Sequence, residues 1–582
     1  MIVFGALYTK RFDANAAVER LDEHLIRMSE TRYCQKATIL NGPSFISYNL
    51  ELESSTDPQK TIISRTLGYF DSQRLESGEY LKVSILSHHD EYELDGLTDA
   101  FSSMPLFTYQ NGAACAISND IFAIAKFFRL KKLDLKPTYS LFITGHCITR
   151  ETTIAEVKRL WPSERITFRL NATGSITTTL LSTKPLKYRE RRTSIEIHAI
   201  QTFKSLVDGC RRILANKQEF VLQLSGGLDS RITAGAIRQA FPDLEIQTCT
   251  VDIATPSELE AAGRSATVLR LKHSIERLGI FAEDVSSAFL LTGGQVSVLA
   301  AATNLHMYRR GNPESVTQIV GAWPGDTLIG SYVPNHPGFL RPDKTVRAIR
   351  RWALNKARLS RYLARVIFGR RNQKYLERSF GRQLFEILLE CSGENAAQKI
   401  SYWAMFRRQP AFSFNSPARL TDSVIELTPM LHLEYVENLL ELRGDEIFKK
   451  NFYRKMLFAN LPSLAAIPYN EESLSKEFVV PCPGIRERLL YDFPTPVLRS
   501  LVWLFDRLSV NLQFSRNSEI RKYAELARKF ELHQDTLSAA LDNQEFQVPI
   551  FDFTKPVDVD RFWKLLTIQM TQSYLNEEKA HD

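Results

Sequence analysis

The periodicity of hydrophobic and polar residues divides this chain into two parts. Up to about residue 185, short stretches of alternating or β-branched apolar residues, separated by Gly and Asn, predict mostly strands and turns. These stretches cover residues 83–90, 104–119 and 164–181. Two segments of the same region have helical spacing instead, residues 15–28 and 121–128.

The pattern changes after the polar, basic segment 181–194. An amphipathic helix over 195–214 is followed by a buried strand at 219–224, a helix at 231–241 and a second buried strand at 244–251. Strands that alternate with helices predict a parallel sheet, so the fold class is α/β. After Arg341 we expect a largely helical chain to the end, and we divide the chain into domains at 1–185, 194–500 and 501–582, the last a helical extension.

Composition narrows the class of protein. With 582 residues the chain is too long for one core, and its 44% hydrophobic and 24% charged residues are typical of globular domains. Its apolar runs are shorter than the ~20 residues that cross a bilayer, and no basic leader precedes the first of them. The seven cysteines are scattered without CxxC spacing, which argues against a disulfide scaffold or structural zinc. We expect a cytoplasmic protein without a transmembrane segment.

Positive charge is concentrated in one region. Residues 341–382 contain fourteen Lys or Arg against Asp343 and Glu377, in a chain whose net charge is only +8. The basic residues alternate with apolar ones at helical spacing, which predicts amphipathic helices with one basic face. That face is either simply solvated or a docking face for an acidic partner, anionic lipid or nucleic acid. No zinc-finger, RNP or helix-turn-helix pattern supports nucleic acid.

The most informative motif is residues 225–230, Ser-Gly-Gly-Leu-Asp-Ser, between a predicted strand and a predicted helix. The two glycines allow a tight turn and close approach to a ligand, and a helix N-terminus attracts anions. Asp229 would repel a bare phosphate, but it suits a Mg²⁺ ion placed between carboxylate and phosphates. The lysine of the GxxxxGK[ST] loop is missing, so this is a different kind of phosphate loop.

This motif resembles the pyrophosphatase loop of the asparagine synthetase class of ATP-dependent amide synthetases. Residues 248–252 with 257–260 are similar to that family's second strand and acidic turn, and residues 321–332 to its metal-binding loop. Thr327 and Ser331 depart from that loop, where the family has Glu and Gly. The resemblance implies ATP and Mg²⁺, with Asp229 and Asp326 as metal ligands. It also implies nucleotide contacts from the residues of two strand ends and three loops: Leu222, Leu224, Ser225, Gly226, Gly227, Asp229, Ser230, Val251 and Gly325.

The N-terminal region resembles class II glutamine amidotransferase domains, which have an Ntn-type αββα fold. Residues 104–109, 117–125 and 145–162 carry the similarity. That family needs a cysteine directly after the initiator Met, where this sequence has Ile2, and the RGPD-type glutamine-binding motif is also missing. We therefore expect an inactive scaffold that does not release ammonia from glutamine.

The second half-reaction needs a base and a cation. Residues 424–432 resemble the family segment that carries a candidate base, with Glu426 one position late relative to the shared proline; a capping or surface role is its alternative. On a helix such a shift turns the side chain by about 100°. Lys476 stands where the family has a phosphate-contacting lysine, with a solvated lysine as the alternative, and Tyr402 could pair with Glu426.

The resemblance implies a ligase that adenylates a carboxylate and lets an amine displace AMP. β-Lactam and carbapenam synthetases and lasso-peptide macrolactam cyclases share this arrangement, and holding both groups of one molecule together speeds the reaction. We favour a peptide precursor closed to a macrolactam, with a leader-binding protein or protease docking on residues 341–382. The rivals are a small carboxylic acid closed to a β-lactam, a sugar acid amidated with external ammonia in polysaccharide assembly, and a non-catalytic ATP-binding scaffold.

Overall fold

The structure is a computed structural model. It describes residues 3–491 apart from the gaps at 10–11, 31–38, 42–44, 49–50, 54–59, 71–77, 89–90, 184, 216–218, 253–254, 278–281, 308–316, 322–323, 358–360, 416–423, 470–473, 475–476 and 478. It also describes residues 527–528, 530–533, 537 and 556–577. Lys476, and most of the predicted C-terminal extension before residue 556, lie outside the described residues.

Two antiparallel sheets form the N-terminal region, as the alternating pattern predicted. Sheet 1 has the strand order β10-β8-β9-β1-β3-β2 and sheet 2 the order β12-β11-β7-β6-β5-β4. The strands are β1 (Phe4–Tyr8), β2 (Ile39–Asn41), β3 (Phe45–Tyr48), β4 (Glu51–Glu53), β5 (Lys60–Phe70), β6 (Gly78–His88), β7 (Glu91–Thr98), β8 (Phe107–Gln110), β9 (Ala114–Ser118), β10 (Lys158–Arg159), β11 (Glu164–Leu170) and β12 (Ile176–Ser182). The helices are α1 (Ala14–Glu30), α2 (Ile121–Phe128) and α3 (Leu135–Thr144).

Strand β1 shows how sheet 1 separates two cores. Val3 and Leu7 pack in the core shared with sheet 2, whereas Phe4 and Ala6 pack in the core that contains α1 and α2. Successive residues of a strand point to opposite faces, so an uninterrupted apolar run serves both layers. This region is a mixed α/β assembly.

A third, parallel sheet lies in the second part of the chain, in the order β15-β14-β13-β16-β17. Its strands are β13 (Val221–Gln223), β14 (Gln247–Val251), β15 (Lys272–Glu276), β16 (Thr317–Val320) and β17 (Val424–Leu427). The helices between them are α4 (Ile195–Leu214), α5 (Leu228–Ala240), α6 (Pro256–Val268), α7 (Ala282–Thr292) and α8 (Val298–Met307). β17 lies in the part after Arg341 that was expected to be largely helical, and this short apolar segment forms a strand because β16 offers it a parallel partner.

Helices dominate the described residues of the remainder. They are α9 (Thr345–Ala357), α10 (Arg361–Glu390), α11 (Ala396–Trp403), α12 (Gln409–Ala411), α13 (Leu433–Leu439), α14 (Gly444–Ile447), α15 (Asn451–Asn460), α16 (Pro462–Ala465), α17 (Ile485–Tyr491) and α18 (Pro556–Asn576). A π-helical turn, Ala404–Arg408, joins α11 to α12, and Gly369 interrupts α10 with φ 72°. None of the helices in the described ranges combines the length and apolar character needed to cross a bilayer.

Helix α18 packs far from its neighbours in sequence. It contacts α3 and α8, and its buried residues belong to the same core as β1, α1 and α2. The predicted C-terminal extension therefore ends in a helix that is part of the N-terminal core.

Candidate functional site

The predicted anion loop lies at the carboxyl edge of the parallel sheet, directly after β13. Gly227 is the N-cap of α5, and no side chain caps this helix. Its first N–H groups and the positive end of its dipole therefore favour an anion at this edge. The hydroxyls of Ser225 and Ser230 lie 2.9 Å apart, and Ser225 N–H donates to Ser230 Oγ at 3.0 Å, which holds the loop in a closed turn.

Gly226 allows the loop to pack against the N-terminus of α6. A Cβ at Gly226 would lie 2.8 Å from Glu258 Cα. Glu258 is held in a capping box, since Thr255 N–H donates to its carboxylate at 3.0 Å and its own N–H donates to Thr255 Oγ1 at 3.3 Å. The N-termini of α5 and α6 thus come together at one edge of the sheet, where ligands of open α/β sheets bind.

Asp229 forms the chemical centre of the site with a lysine. Lys450 Nζ donates to Asp229 Oδ2 at 2.5 Å, and the two side chains are only 14% and 18% exposed. Burial raises the pKa of Asp229, Lys450 opposes this, and the nearby charge of Asp326 raises it further. Burial would lower the pKa of Lys450, but Asp229 and Asp326 together raise it above its ordinary value. The structure therefore brings both predicted metal ligands close to one cation.

The loop that carries Asp326 positions Lys450 through a glycine. Gly330 has φ +85°, and a Cβ there would lie 2.4 Å from Ile447 O, so the two segments touch through their backbones. Lys450 N–H then donates to Ile329 O at 3.3 Å. Because Lys450 leads directly into α15, this contact fixes where its side chain begins.

Buried tyrosine hydroxyls hold the loop around Asp326 in place. Tyr453 donates its hydroxyl proton to Gly325 O at 2.8 Å, and Tyr435 lies 2.6 Å from the same hydroxyl. Thr327 is fully buried and donates to Pro324 O at 2.8 Å. Thr327, where the similar loop of the synthetases has Glu, therefore stabilises the turn and adds no ligand to the site.

The residues present fit a magnesium ion. Asp229 Oδ1 is buried and has no hydrogen-bond partner among the described residues, so this oxygen is available for a cation. Mg²⁺ is commonly held by one or two carboxylates together with substrate phosphates. The described part of the chain contains no group of three or more His, Cys, Asp or Glu side chains that could hold a metal ion.

The residues predicted to flank the nucleotide lie at the same sheet edge. Leu222 and Leu224 are buried, and Leu224 accepts a hydrogen bond from Thr250 Oγ1 at 2.5 Å. Val251 ends β14 and is half-buried. The ends of these two neighbouring strands therefore border the loop, as expected.

The three predicted catalytic side chains have different outcomes. Glu426 lies on β17, not on a helix, so the one-position shift places it on the opposite face of a sheet rather than turning it by about 100°. Tyr402 donates its hydroxyl proton to Leu186 O at 2.7 Å, and burial raises its pKa to about 12. The expected Tyr402–Glu426 pair is therefore not formed. Lys476 lies outside the described residues and stays a prediction.

Sequence reasoning missed two residues of the site. Lys450 follows Lys449, and both have positive φ, 60° and 43°; two lysines before a helix give little sign of such a conformation. Arg231 is completely buried and donates to Gly226 O at 2.7 Å and Ile467 O at 2.8 Å. An arginine within an apolar helix pattern was the available signal, since a buried guanidinium needs several acceptors.

Comparisons with known proteins add little. No family model and no curated protein matches this chain. Among solved structures, a glutamine phosphoribosylpyrophosphate amidotransferase from B. subtilis complexed with ADP and GMP matches at 12% identity, over 48% of this chain and 82% of that chain, with a TM-score of 0.20. A structure described as the allosteric regulatory enzyme of purine biosynthesis matches at 11% identity, over 47% and 80%, with a TM-score of 0.21. At these TM-scores the likeness carries no argument about this protein.

Proposed function

We propose that this protein is an ATP-dependent amide-bond synthetase that adenylates a carboxylate and lets an amine displace AMP. The observation that carries the proposal is the meeting of Asp229, Asp326 and Lys450 beside an uncapped helix N-terminus, at the carboxyl edge of a parallel sheet. The site combines backbone N–H donors, one lysine and two carboxylates. This combination suits a nucleoside triphosphate with its metal ion better than it suits a bare anion.

Each group has a part in the first step. Residues 225–230 and the first turn of α5 would bind the pyrophosphate oxygens, and Lys450 would balance their charge. Asp229 and Asp326 would hold Mg²⁺, which neutralises phosphate charge when bound. The substrate carboxylate attacks the α-phosphorus, the bond to the β-phosphate oxygen breaks, and pyrophosphate leaves.

In the second step an amine attacks the acyl carbon of the acyl-adenylate. The carbon–oxygen bond to AMP breaks, and a base accepts the amine proton. Glu426 remains our candidate base and Lys476 a candidate cation. Tyr402 has no role in this step, because its hydroxyl proton is donated to the carbonyl oxygen of Leu186.

The amine source follows from the N-terminal region. Cys115 and Cys147 are buried there, and burial raises the pKa of both thiols to about 12, so neither suits a nucleophile that attacks glutamine. We favour an amine on the substrate itself, in a peptide precursor closed to a macrolactam in the cytoplasm. A small β-lactam precursor, or a sugar acid with free ammonia, is the alternative.

ATP–[³²P]pyrophosphate exchange with Mg²⁺ tests the proposal over a panel of carboxylic acids and precursor peptides. We expect exchange that depends on one acid, is lost in Asp229→Ala and is retained in the exposed control Asp243→Ala. Equal exchange in wild type and Asp229→Ala would overturn the site. ATP binding without exchange for any acid would favour the non-catalytic scaffold.

A further inference from the structure

The outer face of α10 is strongly basic. Beyond the interruption at Gly369, the exposed cations Arg370, Arg371, Lys374 and Arg378 recur at intervals of three and four residues, so they follow one side of the helix. Among the described residues, no carboxylate forms an ion pair with any of these four side chains. The described part of the chain therefore leaves this row of positive charge without counter-charges.

The opposite face of α10 fixes these charges in position. Leu376, Phe380, Leu384 and Leu388 are buried in the core that also contains α1, α2 and α18. Tyr139 of α3 packs edge-on against Phe380, with the ring centroids 6.1 Å apart. The basic side chains are therefore carried by a packed helix, and a partner meets an ordered surface rather than a flexible tail.

Exposed apolar groups lie among the charges. Tyr375 is 58% exposed beside Lys374, and Lys136 of α3 adds a further cation, with its Nζ 5.7 Å from the centroid of the Tyr375 ring. On α9, which packs against α10, Val346 is also 58% exposed and precedes the exposed Arg347. At the boundary of a lipid bilayer such rings and methyl groups enter the apolar side while the cations stay with the headgroup phosphates.

The charge asymmetry of the chain would orient it on an anionic surface. Residues 341–382 carry an excess of twelve positive charges, which is larger than the net charge of +8, so the remaining residues together carry −4. An anionic surface attracts this region and repels the rest of the chain, so α9 and α10 would approach it first. A soluble acidic peptide would use the cations alone, whereas a lipid surface also accommodates the exposed apolar groups of Tyr375 and Val346.

We propose that the outer face of α10, with the adjoining residues of α3 and α9, binds the phosphate headgroups of an anionic lipid surface and holds the protein there peripherally. This attachment is independent of the proposed synthetase activity. Each basic side chain close to an anionic leaflet strengthens binding by about fivefold, so four or five of them together reach about 1,000-fold. Such binding is reversible and weakens as salt is added.

Co-sedimentation of the full-length protein with vesicles tests the proposal. Vesicles of phosphatidylcholine alone are compared with vesicles that also contain phosphatidylglycerol, at about 0.1 M salt. We expect wild type to bind the anionic vesicles at least about tenfold more tightly, and less tightly as the salt concentration rises. The triple variant Arg371→Glu/Lys374→Glu/Arg378→Glu should weaken this binding by about 100-fold or more. Tyr375→Ala should weaken it by about threefold without changing the salt dependence, because it removes apolar contact and no charge.

A second triple variant, Lys204→Glu/Arg211→Glu/Arg212→Glu, is the matched control. These three exposed residues lie on α4 and give the same change in net charge, so we expect binding within about threefold of wild type. Equal binding of wild type to the two kinds of vesicle, or equal losses in the two triple variants, would overturn the inference. Binding to polyglutamate or RNA without binding to vesicles would also overturn it, and would assign the basic face to a soluble polyanion. Thermal unfolding shows that each variant is folded.

Discussion

Lys450 Nζ and Asp229 Oδ2 meet at 2.5 Å although 221 positions separate them along the chain. The contact joins the loop after β13 to the segment before α15, and it balances one of two neighbouring carboxylates. For the nucleotide that we propose to bind at this loop, a cation already in place would reduce the reorganisation needed on binding.

Lys450→Met should reduce pyrophosphate exchange by about 100-fold or more, since the phosphates lose a fixed positive charge at the loop. The exposed neighbour Lys449 has a similar backbone conformation, and Lys449→Met should leave the exchange rate nearly unchanged. Exchange rates at saturating ATP check both variants. Equal losses in the two would show that the backbone turn, and not the Lys450 charge, matters.

Asp229→Asn should change how stability depends on pH. The native pKa of Asp229 is raised, so the native state holds this proton more tightly than the unfolded chain, whose Asp pKa is about 3.9. As the pH rises from the unfolded pKa to the native pKa, the free energy of unfolding of the wild type falls. The Asp229→Asn variant has no such titrating group and does not lose this stability. Urea unfolding without Mg²⁺ should therefore show the variant gaining relative stability as the pH rises above about 4. A constant difference over this range would contradict the raised pKa.

Gly226→Ala and Gly227→Ala should differ. The Cβ at Gly226 would meet backbone atoms of Glu258 at 2.8 and 3.0 Å, whereas at Gly227 it would meet only Ser225 Oγ at 3.2 Å. We expect Gly226→Ala to destabilise the protein by about 2 kcal/mol or more and to weaken ATP binding. Gly227→Ala should stay within about 1 kcal/mol of wild type. Unfolding midpoints and nucleotide titrations measure both, and equal effects would show that α6 does not constrain the loop.

Gly330→Ala should separate the loop that carries Asp326 from Lys450. The positive φ and the 2.4 Å approach to Ile447 O together predict a loss of about 2–4 kcal/mol. Gly263 in α6 has open space around it, and Gly263→Ala should stabilise the protein by about 0.5–1 kcal/mol. Urea unfolding compares the two. If Gly330→Ala left the free energy of unfolding unchanged, the close backbone contact with Ile447 would not be needed for stability.

His24 should hold α18 in the N-terminal core. It is buried, its Nδ1 lies 2.5 Å from Tyr574 OH, and its Nε2 bonds to Asp120. His24→Ala should cost about 2–4 kcal/mol, because it leaves a cavity and two buried groups without their partner. Tyr574→Phe removes a single hydrogen bond and should cost about 1 kcal/mol. Denaturation curves and limited proteolysis at α18 check this, and equal small losses would show that packing alone holds the helix.

The local pattern predicted much of the fold. Residues 121–128 were predicted as a helix and form α2, because Asp120 caps its N-terminus by accepting from Phe122 N–H and Arg129 ends it in a left-handed conformation. The hairpins around residues 111 and 173, and α4, follow in the same way from alternation and turn residues. The loop at 225–230 was found because its glycines lie between a strand and a helix.

The missed features depend on distant partners. β17 is a strand because β16 pairs with it, and Tyr402 is lost to the candidate dyad because Leu186 offers a carbonyl. Lys450 differs from other surface-type lysines only by where Gly330 and Ile329 place its backbone.

The sequence by itself determined the order of helices and strands and the one loop whose residue types suit phosphate, because period, caps and turn chemistry act over a few neighbouring residues. Only the tertiary structure decided which charges share that loop. Electrostatic interaction depends on the distance between the charges and on their burial. The residues next to Asp229, Asp326 and Lys450 in the sequence do not specify how far apart these three side chains lie in the fold.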